Sequence, residues 1–368
     1  MATASRGALA ALARTRSGSN NNDRRVENLE DELRRKMDPS RSKEAHGQRV
    51  VAALRRMFPA PTTYLQQSSF DSGTFRIRTP GYYLLTENVE FDPPETTTPT
   101  PEYPFPPFQL GFFCAISVEC PDVILDLGGH VLQQSKKHAL TQRFHALVEL
   151  SDQPFEHRQG PSEFGSTVVA ANRCLVTNGY LGRSSHHGIH SAGRPTNVVI
   201  QDLVIYDFEV AGIHLNGAHK CVINRVHVGP SRQETPVMAT FSQARFLLPT
   251  LRTMVGTGST WRGKNARTIL SDLESALDAV QVEVLEQGVT TNPLFKHEAR
   301  NTDGNVYGIV IHGVGVVIND LLESVAPDTA AKDVILSEVC VEGIVSTPQE
   351  IVALELGVDQ ADGGYGGS

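Results

Sequence analysis

The sequence predicts an all-β solenoid, a stack of parallel strands with helices near the N-terminus and one helical insertion. Three observations predict it. Residues 172–181, 196–205 and 219–228 are copies of one phrase, at offsets of 24 and 23 residues. Between them Gly188-Ile189-His190 returns 24 residues later as Gly212-Ile213-His214. The repeated runs are rich in Val and Ile, with Gly and Asn at the corners and no amphipathic helix. Self-similarity at a fixed period of this size marks a stacked-repeat architecture, in which no single repeat can bury its own apolar side.

Stacking strands about 4.8 Å apart puts equivalent residues in columns. Val123, Cys174, Val198, Cys221 and Val334 form one inward column, and Leu125, Val176, Ile200, Ile223 and Leu336 form the next. Ile124, Leu175, Val199, Val222 and Ile335 fall between them and should point outward, although all are apolar. An apolar ladder on the outside of a sheet needs a cover. The helical insertion, the N-terminal helices or a subunit interface are the candidates.

The phrase Asp122-Val-Ile-Leu-Asp-Leu-Gly-Gly-His130, followed by the repeated strand, turn and Gly-Ile elements, resembles the right-handed parallel β-helix superfamily. That superfamily includes pectate lyases, polygalacturonases, polysaccharide epimerases, phage tailspikes and uncharacterised proteins of large DNA viruses and algae. The resemblance covers residues 75–230 and 301–356. It implies a right-handed coil and an extended polysaccharide as ligand, and it leaves the activity open, because one scaffold hosts many functions.

In chain order, residues 1–22 hold Arg, Ala and Ser but no acid, which suits either a disordered basic segment or an organellar transit peptide. Residues 23–60 read as a helical region. Val26, Leu29, Leu33 and Met37 form one stripe, and Val50, Val51, Leu54 and Met57 form another. The first stripe would suit the stem of a homo-oligomer, a trimer in particular. The coil's first part spans 70–230. Within it, residues 93–108 are a Pro/Thr loop that cannot join a central sheet. Residues 153–164 read as a long excursion of the kind that binds. Residues 231–300 are the helical insertion, with helices over 242–254 and 264–287. The last rungs occupy 301–358, and 359–368 is a Gly-rich flexible tail.

Composition narrows the partners. A formal charge of −8 argues against nucleic acid, which needs a basic stripe. No apolar run is long enough for a membrane span. Five cysteines show no metal spacing, and Cys174 and Cys221 sit in an inward column as small hydrophobes. Reduced thiols favour a cytoplasmic or virion-associated setting, and the N-terminus keeps an organellar one open.

The densest polar stretch is Arg183-Ser-Ser-His-His-Gly-Ile-His190, followed by Asp207-Phe-Glu-Val-Ala-Gly-Ile-His-Leu-Asn216. With Ile189 and Ile213 inward, His190 and His214 should point outward about 5 Å apart. His190, His214, Asp207 and Glu209 are the candidate catalytic groups, since imidazoles beside carboxylates can move a proton at a glycosidic oxygen. Arg183, His186, His187 and Asn216 are the candidate substrate-binding groups. The competing reading is a stacked ladder that packs or binds without catalysis. No resident cofactor is expected, though His190 and His214 with Asp207 or Glu209 could take a divalent cation. Asp207 and Glu209 with Arg183 or Arg225 would be the nearest approach to a lyase calcium site. Asn301-Thr-Asp-Gly304 matches a short polygalacturonase motif, but the rest of that pattern is missing and the tetrapeptide is also an ordinary turn. Ser184 and Ser185 have no acyl-transfer motif around them. Two functions follow: a structural or attachment protein that binds a polysaccharide, or a carbohydrate-active lyase, epimerase or hydrolase.

Overall fold

A computed structural model describes residues 62–93, 114–142, 145–151, 169–191, 193–232, 237, 239–261, 263–296, 306–313 and 330–344. The N-terminal helical region, the 153–164 excursion, the Asn301–Gly304 tetrapeptide and the tail lie outside them.

The described residues are mostly β. Strands β1 (Thr62–Leu65), β2 (Phe75–Ile77), β3 (Gly81–Leu85), β4 (Val89–Phe91), β5 (Cys114–Val118), β6 (Val123–Asp126) and β7 (Val131–Gln134) come first. A short helix α1 (Lys136–Thr141) and β8 (Ala146–Glu149) follow. The repeat then supplies β9 (Leu175–Leu181), β10 (His187–Ser191), β11 (Val199–Ile205), β12 (Ala211–Asn216) and β13 (Val222–Val228). Helices α2 (Ala239–Gly256) and α3 (Ala266–Gln287) flank a small β14–β15 hairpin (Thr260–Trp261 and Lys264–Asn265). The described chain ends with β16 (Tyr307–His312), β17 (Ile335–Ser337) and β18 (Cys340–Val341).

Two large sheets result, and every pairing in them is parallel. The first runs β1-β3-β6-β9-β11-β13-β17, with β4, β7 and β18 attached. The second runs β2-β5-β8-β10-β12-β16. From β8 to β13 successive strands alternate between the sheets. Ile200 pairs with Val176 on one side and Ile223 on the other, which is the register the sequence columns require.

The long strands of the first sheet bend once. Asn178, Asp202, Arg225 and Glu338 all adopt left-handed backbone, at equivalent positions. Asp122, Arg173, Asn197, Lys220 and Asp333 form a second such column just before the strands. Asp and Asn tolerate this conformation through local hydrogen bonds. For Arg and Lys it is imposed by the neighbours above and below. Two of these corners are joined across layers by paired hydrogen bonds, Arg173 to Asp122 at 2.7 and 2.7 Å and Arg225 to Asp202 at 2.6 and 2.8 Å.

One hydrophobic cluster gathers Leu125, Val176, Ile200 and Ile223 from the first sheet with Ile116, Val148, Ile189 and Ile213 from the second. Burying each such side chain contributes about 1.5–3 kcal/mol. Both inward columns are confirmed through Cys221 and Ile223. Val334 is only partly buried and Leu336 is 49% exposed at the end of the sheet. Cys114, Cys120, Cys174 and Cys221 are buried free thiols, and Cys340 is an exposed one.

The outer ladder does point away from this core. Ile124 and Leu175 pack with Tyr82 in a separate cluster, against which Leu84 and Val199 rest. Ile335 is exposed. Among the described residues the helical insertion does not cover the ladder, and of the other expected covers the N-terminal helices lie outside the described residues. α2 and α3 instead pack on each other and on α1, through Leu140, Phe241, Leu277 and Val280. The reason lies in α1, a helix the strand pattern did not predict, whose Leu140 offers the insertion an apolar seat. Among the described residues no helix is long and apolar enough to cross a membrane.

Candidate functional site

The second sheet carries a row of polar side chains one residue beyond its core-facing positions. Arg76 pairs with Ser117, Ser117 with Glu149, Glu149 with His190, and His190 with His214, where β16 continues the row as Val310. The preceding residues Ile116, Val148, Ile189 and Ile213 point into the core. Alternation along each strand therefore turns the polar row to the opposite face.

Outward does not mean open. Ser117 and Glu149 are fully buried, His190 retains 5% exposure and His187 retains 2%. His214 is half-buried. The expectation of an exposed histidine face is thus corrected: His187 and His190 are buried, and His186 and His214 are half-buried.

Each buried charge has partners. Glu149 accepts a hydrogen bond from His190 Nδ1 at 2.5 Å on Oε2 and one from Ser151 Oγ at 2.8 Å on Oε1. Arg76 holds Glu119 through two bonds of 2.6 and 2.7 Å, and Ser117 Oγ also donates to Glu119. Burying a carboxylate is tolerable only with such donors in place.

The imidazoles form a continuous group. His190 and His214 lie 5.2 Å apart between ring centroids, close to the spacing expected from the strand separation. His187, expected at a corner, belongs to β10. Its ring stacks on His190 at 4.8 Å and meets His214 edge-on at 5.0 Å. His186 stands 4.1 Å from His187. Gly188, between His187 and Ile189, allows close approach of the neighbouring chain: a Cβ there would lie 2.4 Å from Ile205 Cγ2 and 2.6 Å from the Gly212 carbonyl oxygen. Burial, followed by the charges of His186, His190 and His214, pushes the His187 pKa well below its usual value. Burial likewise holds His138 at about 3 and pushes His145 down. These two rings pack against Phe91 and each other, with 5.2 Å between their centroids.

Asp207 and Glu209, the acids expected beside the histidines, both face arginines. Asp207 faces Arg183 Nε at 3.7 Å and Arg232 Nε at 3.9 Å, and Glu209 faces Arg232 Nη1 at 3.4 Å. Arg183 is buried and donates to the Gln134 carbonyl at 3.1 Å, so it holds the corner together instead of presenting a cation to a ligand. Asn216 is half-buried on β12, in register with His312 of β16. Ser184 and Ser185 are buried, and their hydroxyls donate to the carbonyls of His187 and Gln142.

The sequence reading missed Glu149, Ser117, Arg76 and Arg232. A signal existed for the first two. Ile116-Ser117 and Val148-Glu149 repeat the apolar–polar order of Ile189-His190 and Ile213-His214. No family profile, curated protein or solved structure matches this chain.

Proposed function

We propose that the two sheets are wound as one right-handed parallel β-helix and that the protein binds an extended polysaccharide as a structural or attachment protein, without cleaving it. The all-parallel register, the alternation of strands between sheets and the recurring left-handed corners support the winding. One observation carries the non-catalytic reading. The expected acids are held by arginines, Asp207 by Arg183 and Arg232 and Glu209 by Arg232. The half-buried His214 and Asn216 share one face of β12 and offer hydrogen bonds at the accessible end of the row.

A panel of extended polysaccharides and a glycan array test the proposal on the wild type, His214→Ala and Asn216→Ala. Retention of an intact polymer, weakened at least tenfold by either variant, is the expected result. Absence of retention on every polymer would end it.

The Glu149–His190 pair favours a second reading, a carbohydrate-active lyase, epimerase or hydrolase. A carboxylate on Nδ1 orients an imidazole so that Nε2 can take a proton. Release of shortened or unsaturated sugars by the wild type, abolished in His190→Gln, would establish that reading over the first.

A further inference from the structure

We propose that His187, His190 and His214 form a three-histidine centre for a divalent transition-metal ion of the zinc type. One nitrogen from each of the three rings lies within 4.8 Å of the others. A tetrahedral zinc site with bonds of about 2.0–2.1 Å needs ligand nitrogens roughly 3.4 Å apart. His187 and His190 are stacked nearly parallel, 4.8 Å between centroids, so closing the site requires the His187 and His214 rings to turn toward His190.

Three features of the surroundings fit a metal better than a simple packing ladder. The two ligands on β10 and the one on β12 sit on adjacent, register-locked strands, so the backbone holds them in place before an ion arrives. Glu149 accepts a hydrogen bond from His190 Nδ1, which holds the proton there and presents Nε2 as the ligating nitrogen, an arrangement in which an outer carboxylate orients and strengthens a metal-bound imidazole. Ser151 in turn fixes that carboxylate. Three imidazoles and no thiolate or hard oxygen donor select zinc, nickel or copper over magnesium or calcium. Because His214 is the ligand nearest solvent, the fourth coordination position opens on its side, where water or a ligand oxygen can enter. The site stands whether or not a polysaccharide binds.

Among the described residues His227, Cys340 and Glu342 form a second group within ligand reach. It differs in kind, with an exposed thiol and half-buried partners, and it serves as the internal control.

The test uses the full chain, stripped with a chelator and titrated with zinc chloride by calorimetry and with cobalt(II) chloride by visible absorption. The expected result is one ion per chain and the intense absorption of tetrahedral cobalt. Affinity should fall at least a hundredfold in His214→Gln and about 10–100-fold in Glu149→Gln, and be unchanged in Cys340→Ser. His214→Gln alters a half-buried position, and its far-ultraviolet dichroism checks that the chain is folded. Stoichiometry near zero for both ions in the wild type would overturn the proposal. So would binding that survives His214→Gln or disappears in Cys340→Ser.

Discussion

Glu149 joins the polar row to the imidazoles, and its environment sets what a substitution does. The carboxylate is fully buried and holds both His190 and Ser151. Removing it takes away the acceptor that His190 Nδ1 and Ser151 Oγ use and leaves a void in its place. Glu149→Ala should destabilise the fold by about 3–5 kcal/mol, read from urea unfolding. A loss below 1 kcal/mol would mean that the pair contributes little. His145 shows the opposite case. Both of its ring nitrogens are buried without a hydrogen-bond partner among the described residues, beside Phe91. His145→Phe should therefore stabilise by about 1–3 kcal/mol. It also bears on acid sensitivity. His138 is held at about 3 and His145 is pushed down, both from an ordinary value of 6.5. With the folded pKa below the unfolded one, the unfolded chain binds more protons as pH falls. The His138 contribution is full above about pH 6.5 and is lost toward pH 3, by about 1.4 kcal/mol per unit, and His145 acts in the same direction. Acid unfolding followed by circular dichroism should show this loss, with a lower midpoint in His145→Phe. An unmoved midpoint would remove His145 from the account. None of this was legible from His145 alone, since an isolated histidine in a sequence does not report its burial.

At the scale of the element, the corners and the glycine column do the specifying. Asn197 sits at a left-handed corner with only a 3.3 Å side-chain contact to Asn172. Asn197→Gly should change stability by less than about 0.5 kcal/mol, whereas Asn197→Val should cost about 1–2 kcal/mol, because a β-branched side chain is strained there. Equal effects of the two would argue against that backbone geometry. Gly188, Gly212 and Gly308 stack in the second sheet. A Cβ on Gly212 would lie 2.3 Å from Val228 Cγ1 and 2.9 Å from the Gly308 carbonyl oxygen. Gly212→Ala should cost about 1–3 kcal/mol or more in thermal or urea unfolding. The repeated Gly-Ile-His phrase announced this column in the sequence. Asn178, Asn197 and Asp202 announced corners, but Arg173, Lys220 and Arg225 did not, because nothing intrinsic to those residues favours left-handed backbone. Stacking on equivalent positions imposes it.

Across the whole molecule, stability should be uneven. β9, β11 and β13 lie inside the first sheet with neighbours on both sides, so their amides are bonded both ways. α3 buries one face and exposes Val282, Leu285 and, just beyond its end, Val289. Hydrogen exchange should be slowest in those three strands and faster in α3; the reverse order would place the stable unit in the insertion. The repeat period, the inward columns as far as Ile223, the outward side of the ladder and the two helices of the insertion were all determined by the sequence. Each depends on residue type at a regular spacing, which the chain records locally. Only the tertiary structure decided that Arg76, Ser117, Glu149, His190 and His214 share one row, and that Arg183 and Arg232 take up Asp207 and Glu209. Stretches of chain of unequal length separate the first strands of that row. They change the distance along the chain without changing the register across the sheet, so no fixed period could have shown which residues stand side by side.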